Sequence, residues 1–414
     1  MAYKDFQAAT VLPAQDVNQY LMDQSVIVFD DASARSATLS APIEGMVTYL
    51  KDTNAIEYYD GSSWESIIPP SRDTNNLVQN GAMRIYQRGA LASGITASGY
   101  YTVDRWTVNG AGFGTFQQLC TNDAPNDAGF SRCLKMTCTT ANSSLDAGDF
   151  FAIDQRIEGY NLQEICKGTP NAKPLTLSFW VKSNVTGTFI CELREFNNNR
   201  SCSQAYTINA SATWEYKTVT FPPDTVGALA DNDSGNMRVY FGLGFGSDYT
   251  TGTLQTSWGA VVNANRYVGQ TNITSTVNNY WQVTGVQLET GDSASPFKHL
   301  SIGEDLILCQ RYYQRHKQPT MRGVVASGGF TRMGYSLPVE MRANPSLTSN
   351  GGTMGFWNGS TAAVGNVAFS LTFPFCTGSV EADITSSGFG ASGQAAIFYK
   401  GAGYTFELIA SAEL

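Results

Sequence analysis

The chain has 414 residues, enough for two or three domains with cores of their own. Only 15% of residues are charged, against about 25% in an average globular protein, while Gly, Tyr and Phe number 40, 20 and 22. The formal net charge is −9 and Lys and Arg form no cluster, which excludes a phosphate-backbone footprint and hence nucleic acid; no stretch is long or apolar enough to insert in a membrane.

The opening "MAYKDFQAAT" lacks the basic region and apolar core of a signal peptide. Synthesis in a cytoplasm without export by that route is the expectation. "LPAQDVNQYLM" then places Val17, Tyr20 and Leu21 at helical spacing after Pro13. "FDDASARSATL" predicts a short helix capped by Asp30 or Asp31. "EGMVTYLKDTNAIEYYDGSSWESI" reads as a small β-meander: Met46 to Leu50, Ile56 to Tyr59, and Trp64 onward, with turns at Asp52–Asn54 and Asp60–Gly61. This first unit, residues 1–70, is too small to hold much core and should lean on partners. "IPPSRDTNN" at 68–76 is a linker, stiff at Pro69 and Pro70.

Residues 71–316 read as strands almost throughout. Leu134, Met136 and Cys138 alternate, as do Leu175, Leu177, Phe179 and Val181, and Phe189, Cys191 and Leu193. Met237, Val239, Phe241, Leu243 and Phe245 give the longest such face. Period two, bounded by Gly, Asn, Asp or Pro, predicts an antiparallel sandwich of the jelly-roll kind. In "NYWQVTGVQLETGDSASPF" the apolar residues change parity at Gly285, from Trp281 and Val283 to Val286 and Leu288. A β-bulge at the glycine explains the switch. Ser301 and Glu304 have capping-box spacing in "SIGEDLILCQRYYQRH". A short helix with Leu306, Cys309 and Tyr313 on one face, ending at His316, closes the sandwich. Residues 317–414 return to β composition and predict a smaller second sandwich.

The search for chemistry leaves little. His299 and His316 are the only histidines, and neither sits in a nucleophile or metal-ligand context, so both read as surface or helix-end residues. Asp149, Asp154, Glu158, Glu192 and Glu195 could supply a glycosidase pair, but solvated or salt-bridged acids are the preferred reading. "DNDSG" at 231–235 lacks the later Glu of a calcium loop and reads as a turn. "GLGFG" at 242–246 lies in a strand with no following helix or Lys, which excludes a nucleotide loop. The eight cysteines form no CxxC pair. Most read as buried free thiols, and spacing pairs none of them. No metal, cofactor or catalytic residue is expected.

Aromatics near polar turns stand out. Tyr100, Tyr101, Tyr249 and Trp258 are the candidate glycan-binding residues, as rings able to stack on sugar beside Asn, Asp or Arg. Packing at loop bases or between subunits is the competing role. Trp106 in "VDRWTV" reads as core, with Asp104 and Arg105 as a local ion pair.

"QSVIVFDDASARSATLSAPIEGMVTYLKDTNAIEYYDGSSW" resembles the N-terminal module of tail fibres and minor virion proteins of tailed bacteriophages. "NLVQNGAMRIYQRG", "YTVDRWTV", "LTLSFWVKS", "TWEYKTVTFPP" and "YWQVTGVQLETGDSASPFKHLSIGEDLILCQRYYQ", in that order, resemble a phage jelly-roll module related to carbohydrate-binding modules. Together these patterns cover the first three quarters of the chain. "LPVEMRANP" and the final "AEL" resemble, more weakly, the variable tips of such proteins. The resemblance implies a virion structural protein assembled in a host cytoplasm and forming a homotrimer. Residues 1–70 would attach to other virion proteins, and the sandwich and the tip would face host surface polysaccharide. It brings no catalytic or sugar-binding residues with it. A connector, collar or capsid decoration without receptor binding is the alternative. A depolymerase would need paired acids in a cleft and long β-helical repeats, and no repeat is visible.

Overall fold

The structure, a computed structural model, describes residues 26–53, 55–66, 76–317, 319–325, 330–350, 353–357, 362–366, 368–370, 377, 379–385, 395–399 and 405–414. The predicted helix around Val17, Tyr20 and Leu21, all of the 68–76 linker except its last residue, and Cys376 lie outside these. The chain forms two compact units, Met1–Thr74 and Asn75–Leu414. The expected tip at 317–414 therefore stays within the second unit.

The first unit is a four-stranded sheet in sequence order. β1 (Ile27–Phe29) leads into helix α1 (Ala32–Thr38) and returns as β2 (Val47–Leu50), parallel to β1. β3 (Ala55–Tyr59) and β4 (Trp64–Ser66) complete the predicted meander by antiparallel pairing. Asp31 caps α1 by accepting from the Ala34 amide at 2.7 Å. Arg35 on α1 is buried, pairs with Glu57 and lies over the Trp64 ring at 4.2 Å. Val26, Val28, Ile43 and Tyr58 are exposed within this unit.

The second unit opens as a sandwich of two antiparallel sheets. Its strands are β5 (Leu91–Ile95), β6 (Gly99–Tyr100), β7 (Thr107–Ala111), β8 (Thr115–Thr121), β9 (Cys133–Thr140), β10 (Phe150–Glu158), β11 (Leu175–Ser183), β12 (Gly187–Glu195), β13 (Arg200–Ile208), β14 (Glu215–Phe221), β15 (Gly235–Phe245), β16 (Gly259–Ala260) and β17 (Tyr280–Thr290). The order is β16-β13-β12-β15-β10-β7-β6 in the first sheet and β14-β11-β17-β9-β8-β5 in the second. Neighbours distant in sequence pair within each sheet, as a jelly roll requires. The core between them holds Phe151, Ile153, Phe189, Cys191, Leu193, Val239, Phe241 and Leu243 from the first sheet. From the second come Leu134, Met136, Leu177, Phe179, Val181, Trp281, Val283, Val286 and Leu288. Trp106 joins them, fully buried.

The bulge at Gly285 is present. Ser178 pairs with Gln287 and Trp180 with Thr284, so β17 spends one more residue than β11 over this stretch. Val283 and Val286 consequently both reach the core. Gly285 has φ +63°, and a Cβ there would lie 2.6 Å from Phe130 Cζ. Glycine meets both demands.

Helix α3 (Ile302–Gln310) follows, with the Ser301–Glu304 capping box formed. The helix is shorter than the sequence suggests. Tyr313 and His316 belong to strand β18 (Tyr313–Lys317), which pairs with β27 (Glu407–Ser411). The backbone of the C-terminal part adds β19 (Met321–Val325), β20 (Phe330–Ser336), β21 (Ser346–Ser349), β22 (Thr353–Trp357), β23 (Ala362–Asn366), β24 (Ala368–Ser370), β25 (Ser379–Thr385) and β26 (Ala395–Tyr399). These make a three-stranded sheet, β18-β27-β21, and a seven-stranded antiparallel one.

Asp104 and Arg105 do not pair with each other as the sequence suggested. Asp104 faces Arg88 at 3.4 Å. Arg105 reaches Glu413 at 2.6 Å and its guanidinium lies 3.4 Å from the Tyr312 ring centre. Its φ of +72° turns the backbone between the two side chains, which explains why neighbours in sequence take partners elsewhere.

Candidate functional site

The side of the β16–β6 sheet facing away from the core carries a cleft. Alternation decides which residues reach it. On β10 the core takes Phe151, Ile153 and Ile157, leaving Phe150, Ala152, Asp154 and Arg156 for the outer side. On β15 the core takes Met237, Val239, Phe241 and Leu243, leaving Arg238 and Tyr240. On β12, Glu192 and Arg194 point outward between Cys191, Leu193 and the strand end. Phe245 breaks the simple pattern. A register irregularity between Phe151 and Ala152 against β15 moves it out of the predicted core face, and its ring stacks on Tyr267 at 3.5 Å.

A loop from β15 to β17 walls the cleft. It starts with the single turn α2 (Ser247–Thr250), which carries Tyr249, and returns through Asn263–Asn265 to Arg266 and Tyr267. Beyond Cys191 and Phe241, β12 and β15 cease to pair. Gln270 enters there, accepting from the Ile190 amide at 2.8 Å and donating to Gly242 O at 3.0 Å. A Cβ on Gly242 would lie 2.9 Å from the Tyr267 ring and 2.6 Å from Gln270 Oε1. The "GLGFG" glycines thus serve close approach of the loop to the strand, not a phosphate.

The cleft encloses about 360 Å³ and is lined by Asn109, Phe150, Arg156, Arg194, Phe196, Arg238, Tyr240, Phe245, Tyr249, Asn263, Arg266 and Tyr267, with Ala152 at its floor. Beneath it, Glu192 is fully buried and accepts from Arg266 Nε at 2.8 Å, Arg266 Nη2 at 2.7 Å and Tyr267 Oη at 2.7 Å. Burial pulls the Arg266 pKa down, but the Glu192 carboxylate more than reverses this and keeps the guanidinium charged. Asp154 is also fully buried, 3.2 Å from Arg238 Nε. Loss of solvent raises its pKa to about 6 although Arg238 opposes the shift. Burial, reinforced by the Asp154 charge, pushes the Tyr240 hydroxyl up.

Of the four aromatics singled out in the sequence, Tyr249 lines this cleft. Tyr100 donates to Leu414 O at 3.2 Å and Tyr101 to Ala97 O at 2.8 Å. Trp258 donates to Pro222 O at 2.8 Å and packs on the core. These three do not line it. The acids are engaged in pairs or local turns. Glu158 takes Arg311 at 2.9 and 2.8 Å, Glu195 faces Lys167 at 3.5 Å, and Asp149 accepts from the Asp146 amide at 2.9 Å. His299 packs against Phe130 and Phe297, and burial lowers its pKa. His316 bonds Gln314 and Tyr335. Asp231–Gly235 is the turn into β15. No cluster of three or more His, Cys, Asp or Glu able to hold a metal occurs among the described residues. Seven cysteines are free thiols, all buried except half-buried Cys166, and burial raises Cys120 to about 11 and Cys133 and Cys202 to about 12. Sequence reasoning missed Arg156, Arg194, Arg238, Arg266 and Tyr240. The outward parity of Arg238 and Tyr240 within the "MRVYFGLGF" strand was the one signal available.

No known protein family matches the chain, and no curated protein matches it. Similar solved structures include the enzymatically active domain of bacteriophage CBA120 tailspike protein 4, at 15% identity and a TM-score of 0.27, covering 52% of this chain. The match spans 21% of that tailspike chain. TmCBM61 in complex with β-1,4-galactotriose aligns at 11% identity over 45% of this chain and 88% of its own, with a TM-score of 0.23. The family 11 carbohydrate-binding module of the Clostridium thermocellum cellulase Lic26A-Cel5E aligns at 12% over 50% and 99%, with a TM-score of 0.25. At such identities and scores the functional reading rests on the site's own geometry.

Proposed function

We propose that the second unit is a non-catalytic glycan-binding module and that the chain is a phage virion structural protein, a tail fibre built as a homotrimer. One observation carries the binding reading: the outer-sheet cleft sets the rings of Tyr240, Tyr249 and Phe196 beside the guanidiniums of Arg156, Arg194 and Arg238. Rings offer a face to the C–H side of a sugar, and guanidiniums and Asn109 donate to its hydroxyls and ring oxygens. Glu192 already accepts three hydrogen bonds, and no acidic residue lines the cleft. This supports binding rather than hydrolysis, which needs one free acid and one free base. The resemblance of residues 24–64 to phage attachment modules supports the virion role, and the exposed Val26, Val28, Ile43 and Tyr58 support a need for partners. Trimer avidity then raises weak single-site affinity.

The test is an array of bacterial surface polysaccharides probed with the full chain and with Y240A. Retention of wild type and loss of Y240A is the expected result. A folded protein that ignores every glycan refutes the binding reading, and release of reducing ends from a bound glycan refutes the non-catalytic one.

A further inference from the structure

The outer side of the sheet holds a row that neutral sugar recognition does not require. Arg156 pairs in register with Arg238, and Arg238 with Arg194, across β10, β15 and β12. Three cations thus stand side by side on adjacent strands. Like charges directly opposite in a sheet repel and destabilise it. The chain tolerates this although its net charge is −9 and basic residues are its minority.

The row is not neutralised from within. Arg238 alone has a carboxylate, Asp154. Arg156 and Arg194 form no ion pair among the described residues; Arg194 reaches only the Asn199 amide oxygen at 3.4 Å. The Nε atoms of Arg156, Arg194 and Arg238 are all buried without a hydrogen-bond partner. All three guanidiniums gather around the half-exposed Phe196 ring, at 5.6, 5.2 and 5.5 Å. Arg266, the fourth arginine of the cleft, is already committed to Glu192. No residue lining the cleft is acidic.

Resting on the glycan reading, we infer that the ligand of this cleft is an acidic glycan whose oxyanion, a sugar carboxylate or a phosphate ester, seats on the Arg156–Arg238–Arg194 row. Both oxyanions match the fork of a guanidinium, which donates two parallel hydrogen bonds to either. The anion supplies the counter-charge the row lacks. The sugar ring carrying it then rests on Phe196 or Tyr240.

The experiment uses the full chain on an array of neutral, uronate-bearing and phosphate-bearing polysaccharides. The best ligand is then compared with its own carboxyl-reduced or dephosphorylated form. Retention confined to acidic glycans, weakened at least about tenfold by one of the two treatments, is the expected result, and the effective treatment names the oxyanion. The double variant R156Q/R194Q should lose that binding while its melting temperature without ligand holds or rises, because repulsion is relieved. Equal binding of neutral and acidic glycans overturns the inference and leaves the glycan reading standing. Binding of an oligonucleotide in preference to every acidic glycan also overturns it. Binding to none of these by a folded protein removes both.

Discussion

Arg266 grips Glu192 through both Nε and Nη2, at 2.8 and 2.7 Å, and so ties the loop that walls the cleft to the middle of the sheet. The pair is buried on both sides. Removing one partner leaves the other charge uncompensated. Glu192→Ala should therefore cost about 3–5 kcal/mol in denaturant unfolding and abolish ligand binding with it. Wild-type stability in the variant would show that the loop is held by its other contacts, such as Gln270 and the Phe245–Tyr267 stack.

The aromatic predictions separate the cleft from the sites nominated by sequence. Tyr249→Ala and Tyr240→Ala should weaken glycan binding, by about 1–3 kcal/mol each if the loss resembles that of a stacked base. Tyr100→Ala, Tyr101→Ala and Trp258→Ala should leave affinity unchanged and act on stability only, since each ring is bonded away from the cleft. Titration calorimetry on the five variants decides, and a loss of affinity in Trp258→Ala would move the site.

Asp154 makes binding of an acidic ligand pH-dependent. Burial raises its pKa to about 6, against the Arg238 charge, the Asn109 side chain and the Arg105 charge, which all favour its charged form. Tyr240 stands next to it in register, with Glu192 on the far side. Above that pH the carboxylate competes for Arg238; below it Asp154 is neutral and Arg238 is free for the ligand. Affinity should rise as pH falls through 6 and the rise should vanish in Asp154→Asn, measured by titration between about pH 5 and pH 8. A flat wild-type profile would exclude competition for Arg238.

Gly285→Ala meets two obstacles at once, the positive φ and Phe130 Cζ at 2.6 Å. A cost of about 2–4 kcal/mol is expected. Adding Phe130→Leu to the alanine variant should recover the packing part of that cost. Thermal melts of the single and double variants show whether it does.

Much of the sandwich was legible because period two survives without knowledge of the partners: Leu177, Phe179, Val239 and Phe241 are where alternation puts them. The parity switch at Gly285 was legible for the same reason. Phe245 was not, since its register depends on how β15 meets β10. The arginine row lay beyond reach altogether. Arg156, Arg194 and Arg238 are scattered across three strands, and only the β12-β15-β10 order brings them together. That order is set by the whole sheet, not by any local stretch. Likewise Arg105 looked like a partner for Asp104 because its real partner is 308 positions downstream.

That distance has a consequence for how the protein is made. Ribosomes add about 5–20 residues per second, so Glu413 emerges roughly 15–60 s after Arg105. The strands of the sandwich leave the ribosome long before it. Until then Arg105 has Gln79, the Arg156 carbonyl and, later, Tyr312 beside its guanidinium, but not its carboxylate. A guanidinium without a counter-charge is costly to seal in a dry interior. The β6–β7 edge of the nascent sandwich must remain open to water until residues 405–414 arrive and close it.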